Sequence, residues 1–447
     1  MHGSDLAVLG GSVIYRGEIV KLDILIRDGR IGKIGREVSP SDCGKIDASG
    51  KLVLPGVIDS HVHMREPGSP EKEDFATGTA AAAAGCVTAV LDMPNNQPPV
   101  DSATRLTEKA RLVEPRAAVD FGLLAVLHDG NVKEVPAMVK AGAVGLKGYL
   151  GPTTGELPPP SDSAIYESLV ALQGTGTPMA FHAEDAFLVN RFTDSVRKEG
   201  RTDPTAHADA RPAACEAVAI SKVAGLARRS GGKAHVVHVT TEAGLALVEE
   251  EKRRGTKMTC ETCPHYLSLT REDMAVKGPS LKVNPPLRAL SDLEALWRGV
   301  SAGVIDTLAS DHAPHLVAEK RRSNVWEVPS GLIGVETLVP VMLDFVNRGS
   351  LTIQRFVEMT SLNPARIYNL SPTKGLMAEG FDGDLTVVDM NEEHVIKAEE
   401  LHSKNKITPF EGRAVKGRVK YTVVRGAVVY DGEAVNPSGA WIRPVEV

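Results

Sequence analysis

The stretch VIDSHVHM at residues 57–64 carries most of the information about the fold. β-Branched residues open it and two histidines, His61 and His63, close it, which is typical of a buried strand with reactive side chains at its carboxyl end. A helical pattern follows at residues 74–84, and another apolar run lies at 87–93. Strand, helix and strand in this order predict a parallel β/α unit.

The same alternation continues to about residue 370. Strand candidates lie at residues 57–64, 87–93, 119–126, 144–150, 178–183, 234–239, 257–263 and 304–310. Helical patterns lie at residues 74–84, 102–113, 133–140, 162–172, 215–229, 242–254, 292–300 and 335–346. Eight such units predict an α/β fold, a (β/α)8 barrel of the TIM type. The rival is an open doubly wound sheet, but its dinucleotide-binding form needs a G-x-G-x-x-G sequence that is absent after the first strand.

The two ends of the chain resemble each other. Residues 11–18 (GSVIYRGE) and 426–433 (GAVVYDGE) are both β-branched runs closed by a turn with glycine. Further strand candidates lie at residues 21–27, 31–34, 384–389 and 418–424. Chain ends commonly lie close together at a domain surface. We therefore predict a small β-sandwich domain built from residues 1–55 and 371–447, with the barrel at 56–370 inserted between them.

Composition narrows the kind of partner. The 447 residues include 51 Lys+Arg and 57 Asp+Glu, for a formal net charge of −6, without a long run of either sign. We expect a small-molecule substrate, and neither nucleic acid nor a membrane as partner. Residues 79–91 are too short for a membrane span and residues 1–5 lack signal-peptide features, which predicts a cytoplasmic protein. Five scattered cysteines, including the C-x-x-C of Cys260 and Cys263, indicate free thiols.

Side chains that commonly bind metals fall at several predicted strand ends, where a barrel places its reactive groups. They are His61, His63, His182, His238 and Asp311. His61 and His63 are two residues apart, so both project from one face of the strand and can contact one ion. An H-x-H pair alone is equally typical of two hydrogen-bonded structural histidines. The three further residues favour a metal site, and imidazole with carboxylate suits Zn²⁺.

Lys147 lies at the end of the fourth predicted strand. Its ammonium form would be repelled by metal ions. One interpretation is a lysine paired with a carboxylate in the barrel interior. The other is a carbamate formed from the neutral amine and CO₂, whose two oxygens could bridge two metals. Burial and nearby cations lower the pKa of a lysine and make the neutral amine more available.

Residues 59–68, DSHVHMREPG, resemble the signature of the cyclic amidohydrolases, and of the dihydroorotases among them. The resemblance covers nearly the whole chain, through DMPNN at 92–96, GLKGYL at 145–150, HAE at 182–184, HV at 238–239, CETCPH at 260–265, KVNPPLR at 282–288 and SDHAPH at 310–315. It implies two Zn²⁺ ions per subunit with a bridging hydroxide. The implied ligands of one ion are His61, His63, carboxylated Lys147 and Asp311, and those of the other are Lys147, His182 and His238.

The resemblance also implies a reaction, the reversible cyclisation of N-carbamoyl-L-aspartate to L-dihydroorotate in de novo pyrimidine biosynthesis. Asp311 would be the catalytic residue, taking a proton from the attacking hydroxide and passing it to the departing amide nitrogen. Arg65 favours this substrate, because a guanidinium can bind its free carboxylate through two hydrogen bonds. In the dihydroorotase pattern Arg65, Asn95 and His315 hold the carboxylate, and Asn284 is a further substrate-binding residue.

Other members of the superfamily remain as alternatives. Hydantoinases, dihydropyrimidinases and allantoinases resemble this chain in the metal ligands, and the sequence CETCPHYL at 260–267 is similar to allantoinases and hydantoinases. Asn96 stands where dihydroorotases more often have threonine. For Arg65, a surface ion pair with Glu66 or Glu71 is the alternative role. A catalytically silent scaffold is a further alternative, which the six intact ligand positions disfavour.

Residues 151–157, GPTTGEL, have the glycines and small polar residues of a mobile loop. In lysine-containing dihydroorotases, which this chain resembles, a threonine on this loop closes over the substrate, and Thr153 matches it best by distance from Lys147. A rigid turn is an equally good interpretation. A homo-oligomer and an association with aspartate transcarbamoylase are both compatible with the resemblance.

Overall fold

The computed structural model describes residues 5–38, 43–155 and 157–445. Within these residues the chain forms two separate sheets of eight strands each. One sheet is a parallel barrel surrounded by helices, and the other is built from both ends of the chain. The predicted (β/α)8 barrel with a second domain made from the chain ends is confirmed.

The amino-terminal part of the chain supplies five strands to the second sheet. They are β1 (Leu6–Tyr15), β2 (Glu18–Arg27), β3 (Arg30–Gly35), β4 (Gly44–Asp47) and β5 (Leu52–Pro55). Strand β1 pairs with β2 on one side, and on the other side with β4 and β5, each along a different half. The register of β1 shifts between Val8 and Gly11, at the point where its neighbour changes.

The barrel strands begin two residues after β5. They are β6 (Val57–Val62), β7 (Val87–Asp92), β8 (Asp120–Val126), β9 (Gly145–Tyr149), β10 (Met179–His182), β11 (Ala234–Val236), β12 (Met258–Thr262) and β13 (Thr307–Leu308). Each strand pairs with the next in chain order, and every pairing is parallel. A parallel bridge between Val62 and His312 connects the first strand to the segment after the last. The backbone N–H of His63 donates to the His312 carbonyl over 2.7 Å.

Helices cover the outside of the barrel and continue past its last strand. They are α1 (Phe75–Ala84), α2 (Ala103–Val113), α3 (Val135–Ala141), α4 (Asp162–Ala171), α5 (Ala186–Lys198), α6 (Ala206–Asp209), α7 (Ala213–Ser230), α8 (Glu242–Arg253), α9 (Arg271–Lys277), α10 (Leu290–Ala302), α11 (Val317–Lys320), α12 (Leu338–Asn347), α13 (Ile353–Val357) and α14 (Asn363–Ile367). Asp74, Ser102 and Thr241 begin α1, α2 and α8 by accepting a hydrogen bond from the amide three residues on. Among the described helices, none has the length and apolar character that crossing a bilayer requires.

The chain then returns to the second sheet through β14 (Leu385–Val395), β15 (Ala414–Val424) and β16 (Ala427–Tyr430). Strand β14 pairs antiparallel with β5, which gives the order β16-β15-β14-β5-β1-β2-β3. The core of this domain mixes side chains from both chain ends, such as Ile24, Val53, Leu385 and Val423, all fully buried. Both termini are therefore needed to form one hydrophobic core.

The small domain contacts the barrel at both of its faces. At the amino end of β8, the Phe121 N–H donates to the Ala440 carbonyl (3.0 Å), and Ile442 N–H donates to the Phe121 carbonyl (2.9 Å). At the opposite face, residues 396–413 leave the sheet between β14 and β15 and lie against the loops at the barrel mouth. The five cysteines are free thiols, as predicted.

A cluster of three carboxylates joins the two domains. Oxygens of Asp120, Asp382 and Asp384 lie close enough together to hold a cation. The ammonium of Lys374 fills this position, 2.7, 3.0 and 2.6 Å from the three carboxylates. The cluster is therefore a buried ion-pair network that fastens the small domain to the barrel.

Candidate active site

The six predicted metal ligands lie at the carboxyl ends of the barrel strands and face one pocket. The pocket contains about 400 Å³ of empty space, and its lining includes His61, His63, Lys147, His182, His238 and Asp311. His61, Lys147 and His182 lie within β6, β9 and β10, whereas His238 and Asp311 follow β11 and β13 within three residues. The parallel barrel thus brings together side chains that are as much as 250 residues apart in the sequence.

His61, His63 and Asp311 form one half of this constellation. Their ligand atoms lie within 4.8 Å of one another, and all three residues are buried. Asp311 Oδ1 lies 3.4 Å from His61 Nε2 and 3.3 Å from His63 Nε2. Two imidazoles and a carboxylate that converge in this way can bind one Zn²⁺-like ion.

The rings of His61 and His63 are held by hydrogen bonds at their Nδ1 atoms. His61 Nδ1 lies 2.9 Å from Oε1 of Glu261, whose other oxygen accepts from Ser60 Oγ over 2.8 Å. His63 Nδ1 lies 2.7 Å from Oδ1 of Asn95. An acceptor at Nδ1 keeps the proton there and leaves Nε2, the atom that faces Asp311, free to bind a metal.

Lys147, His182 and His238 form the other half. His182 Nδ1 lies 3.1 Å from His238 Nε2, and the two ring centroids are 4.9 Å apart. Lys147 Nζ and His238 Nδ1 are buried and have no hydrogen-bond partner among the described residues. Burial lowers the pKa of Lys147 to about 8. Because Lys147 Nζ has no partner among the described residues, the alternative of a hydrogen-bonded lysine–carboxylate pair is not observed. Buried polar atoms normally have a partner, so these nitrogens fit a bound group that the polypeptide does not itself supply.

The charge states in the pocket match metal binding. Burial lowers the pKa of His63 to about 3, and it also lowers the pKa of His182 and of His238. These rings are therefore neutral near pH 7, the state that metal coordination requires. Burial would raise the pKa of Asp311, but the rings of His61 and His63 outweigh it and lower the pKa below its ordinary value.

Three residues of the pocket have backbone conformations that favour glycine. Arg65, His238 and Asp311 have φ angles of 55°, 41° and 46°. Each such residue costs about 1–3 kcal/mol and persists where the surrounding structure enforces it. His238 and Asp311 follow strand ends, and their positive φ angles turn the backbone away from the strand direction. Their side chains line the pocket.

Arg65 lines the same pocket as the predicted metal ligands, and only 8% of it is exposed. Its Nε donates to the Pro314 carbonyl over 3.1 Å, and one terminal nitrogen lies 3.3 Å from His315 Nε2. In the described part of the chain it forms no ion pair, and Glu66 instead pairs with Arg116 at 2.5 Å. The surface ion pair that was the alternative role for Arg65 is not present.

The other predicted substrate residues lie in or beside the same pocket. Asn95, Asn284 and Thr153 line the pocket with Arg65, and His315 lies behind Arg65. The Asn95 amide is engaged on both sides, by His63 and by the Thr154 carbonyl, to which it donates over 2.9 Å. Asn284 Oδ1 is buried without a partner among the described residues.

The segment that carries Thr153 is anchored at two points. A terminal nitrogen of Arg211 donates to the Pro152 carbonyl over 3.2 Å, and Asn95 holds Thr154. Gly151 lies so close to the Glu184 carbonyl that a Cβ there would overlap it. Residue 156 of the predicted loop lies outside the described residues, and the closure of this loop over a substrate stays a prediction.

Sequence reasoning missed Glu261, which orients His61. A signal was present, because a carboxylate in the middle of a buried strand requires a partner. Burial would raise the pKa of Glu261, but the facing rings of His61 and His235 lower it below its ordinary value, so the side chain is an anion. The neighbouring Cys260 and Cys263 are buried thiols.

Comparison with known proteins agrees with this geometry. The model of the Amidohydrolase family matches residues 52–429. An allantoinase of Solibacter usitatus is 37% identical over 448 residues, 99% of this chain and 97% of that protein. A dihydroorotase of a Geobacter species is 36% identical over 430 residues, 95% of this chain and 99% of that protein. The solved structure of an L-hydantoinase from Arthrobacter aurescens is similar with a TM-score of 0.95 and 31% identity, covering 98% of this chain and all of that one. The protein therefore belongs to the Amidohydrolase family.

Proposed function

We propose that the protein is a dihydroorotase, which interconverts N-carbamoyl-L-aspartate and L-dihydroorotate. The observation that carries the proposal is Arg65, a buried guanidinium that faces the pocket without an ion-pair partner among the described residues. A buried, unpaired charge is costly, and a carboxylate on the substrate would offset that cost with charge-assisted hydrogen bonds. Hydantoin and dihydrouracil carry no such group.

The ligand set fits two Zn²⁺ ions. His61, His63 and Asp311 would hold one ion and His182 and His238 the other, with carboxylated Lys147 shared between them. The fit rests on the three converging ligand atoms at Asp311 and on the unpartnered Lys147 and His238 nitrogens. When bound, two such ions lower the pKa of water to near neutrality and polarise the carbonyl of the ring.

The side chains of the protein divide the remaining tasks. In the hydrolytic direction a carbon–oxygen bond forms at the ring carbonyl and the carbon–nitrogen bond breaks. Asp311 takes the proton of the attacking water and delivers it to the leaving amide nitrogen. Arg65 binds the carboxylate and orients the ring, with His315 behind it. Cyclisation reverses these steps with loss of water.

A hydantoinase, dihydropyrimidinase or allantoinase is the second candidate. The comparisons support it equally well, because identity to an allantoinase (37%) is as high as identity to a dihydroorotase (36%). The metal ligands serve all these reactions equally. The candidates differ in whether their substrate carries a carboxylate that Arg65 could bind. A cytoplasmic homo-oligomer associated with aspartate transcarbamoylase stays a prediction.

Steady-state turnover tests the proposal. Zinc-loaded enzyme in bicarbonate is given L-dihydroorotate, hydantoin, dihydrouracil and allantoin, alongside Arg65→Gln and, as a matched control, Arg322→Gln at an exposed arginine. We expect dihydroorotate to be preferred, and Arg65→Gln to lower its kcat/KM by about a hundredfold with zinc content unchanged. The control should match the wild type.

Preference for an uncharged ring, untouched by Arg65→Gln, would establish the second candidate instead. Inactivity on all four compounds with two zinc ions bound would favour the silent scaffold. Either outcome overturns the proposal.

A further inference from the structure

Residues 401–410, called here the mouth segment, belong to the small domain in sequence but lie on the barrel. They follow β14 and precede β15. Within the segment Leu401, Ser403, Thr408 and Phe410 are buried. Ile407 and Thr408 line a small cavity together with His315, which lies directly behind Arg65. The small domain therefore reaches the part of the barrel mouth around Arg65 and His315, called here the carboxylate end.

Asn405 is the central contact of the mouth segment, and only 9% of it is exposed. Its Nδ2 donates to the carbonyls of Lys72 (2.8 Å) and Glu71 (3.3 Å), in the loop after β6. Its Oδ1 accepts from the N–H of Val317 (3.2 Å), the first residue of α11, at the end of the loop after β13. One side-chain amide thus connects two barrel loops that lie about 245 residues apart in sequence.

These two loops carry Arg65, which is proposed to bind the carboxylate, and His315, which lies behind it. Arg65 belongs to the loop after β6, and His315 to the loop after β13. Lys72 connects them a second time, because its ammonium lies 3.3 Å from His315 Nδ1 and 3.1 Å from Glu319. With Nδ1 accepting from Lys72, His315 carries its proton on Nε2 and donates it to the Ser330 carbonyl over 3.0 Å. The 3.3 Å approach of Arg65 to this nitrogen is therefore a packing contact between two donors.

Lys404 fixes the same loop next to Asn405. Its backbone N–H donates to the buried carboxylate of Glu73, at 3.2 and 3.3 Å from the two oxygens, and its ammonium donates to the Pro70 carbonyl over 2.6 Å. Glu73 also faces His312, 3.4 Å from its Nε2. The attachment of the mouth segment is therefore specific and lies largely out of water.

We propose that Asn405 is a positioning residue for substrate selectivity. It holds the loops after β6 and β13 in the register that points Arg65, with His315 behind it, at the substrate carboxylate. The predicted metal ligands lie on the strands or within three residues of their ends, and none of them is a hydrogen-bond partner of Asn405 among the described residues. This inference rests on the proposed function. Loss of Asn405 should therefore weaken binding of a carboxylate-bearing substrate and leave both metal binding and turnover of bound substrate intact.

The test compares Asn405→Ala and Asn405→Asp with Asn391→Ala, a control at an exposed asparagine of β14. Asn405→Asp keeps the acceptor for Val317 and loses the donor to Lys72 and Glu71. For each protein, kcat and KM are measured with L-dihydroorotate and with hydantoin, zinc content is determined, and amide hydrogen exchange is followed in residues 69–74 and 316–320.

For Asn405→Ala we expect the KM for dihydroorotate to rise about tenfold, since small displacements of substrate-positioning groups have large effects. Its kcat, its zinc content and the KM for hydantoin should stay within about twofold of the wild type, and exchange should accelerate in both loops. Asn405→Asp, which sets a carboxylate oxygen against the carbonyls of Lys72 and Glu71, should be at least as impaired as Asn405→Ala, and the control should match the wild type.

Two outcomes would overturn the inference, and they are distinguishable from failure of the proposed function. If wild-type enzyme prefers dihydroorotate and Asn405→Ala keeps its KM although exchange accelerates, Asn405 is a structural brace without influence on selectivity. If Asn405→Ala raises both KM values equally or loses zinc, the effect is general. If the wild-type enzyme prefers hydantoin, the proposed function itself is wrong. This result is obtained from the wild type alone, before any Asn405 variant is compared.

Discussion

The two ends of the pocket are built in different ways. At the metal end, the side chains of His61, Lys147 and His182 lie on barrel strands, where neighbouring strands fix them on both sides. At the carboxylate end, Arg65 and His315 lie on loops whose arrangement depends on hydrogen bonds from Asn405 in the other domain. The first end belongs to the barrel alone, and the second needs both domains.

This difference separates chemistry from selectivity. A barrel strand cannot shift by one residue without breaking its pairing with both neighbours, so metal ligands on strands are fixed in position. A loop can change its length or its supporting contacts at little cost to the core. We therefore expect the metal end to determine the reaction and the carboxylate end to determine the substrate, and each end can be perturbed separately.

The largest effect is expected at Lys147. Lys147→Met removes the amine, fills the same buried space and leaves the second ion with only His182 and His238. Activity should fall on the order of 10³-fold, as when an electrostatic stabiliser is removed, and the protein should bind fewer zinc ions. Turnover on dihydroorotate and metal content measure the two effects.

A carbamate on Lys147 also predicts a dependence on CO₂. Apoenzyme reconstituted with zinc in CO₂-depleted buffer should regain activity only after bicarbonate is added, and intact-protein mass should show the addition of one CO₂. The control is Lys147→Glu, which supplies a carboxylate directly, so whatever activity it has should ignore bicarbonate. Full reconstitution of the wild type without CO₂ would rule out the carbamate.

A smaller effect at the same end is expected for Glu261→Gln. The substitution keeps the size of the side chain but replaces the anion that orients His61 through Nδ1. Loss of such an orienting partner typically costs about 10–100-fold in metal affinity. Competition with a chelator measures the affinity, while the KM ratio of dihydroorotate to hydantoin should not change. A changed ratio would contradict the independence of the two ends.

The strand-borne half of the site was predictable because it depends on local patterns. A run such as residues 57–64 shows its strand by composition and its reactive end by the two histidines, and the barrel topology then brings the strand ends together. One helix after each barrel strand was predictable for the same reason, as at Ser102, which caps α2, but α5, α6, α9, α11, α13 and α14 were not predicted. That both chain ends share one domain followed from their similarity, but β5, which pairs with β14, was not among the predicted strands.

The remaining features depend on contacts between distant segments that no local pattern records. Asn405 lies in a polar stretch of the small domain, and nothing in its neighbourhood in the sequence indicates that its amide joins two barrel loops. Glu261 was overlooked because its partner, His61, lies 200 residues away in the sequence. The sequence also could not show that Arg65 has no acidic partner, because Glu66 lies beside it and pairs with Arg116 only in three dimensions.

The smallest expected effect concerns His402, which fastens the mouth segment to the barrel. Its backbone N–H donates to Glu336 over 2.7 Å, and its Nδ1 lies 2.9 Å from the other oxygen of the same carboxylate. The hydrogen bond to Glu336 raises the pKa of His402, against the effects of burial and of nearby Lys406. A raised pKa in the folded protein means that protonated His402 stabilises the fold. This contribution is complete below the pKa of a free histidine, about 6.5, and is lost as pH rises through the higher folded value.

Comparison of wild type with His402→Gln isolates this contribution. The difference in the midpoint of urea unfolding should be largest near about pH 6 and shrink toward about pH 9, and it should correspond to less than about 1 kcal/mol, because the pair is partly exposed. Part of the difference should persist at high pH, since a neutral ring can still donate from Nδ1 to Glu336. Glu336→Gln should abolish the pH dependence, whereas a wild-type advantage that is constant with pH would show that His402 is uncharged. Zinc content should be the same in all three proteins at every pH, because neither His402 nor Glu336 lines the pocket that contains the predicted metal ligands.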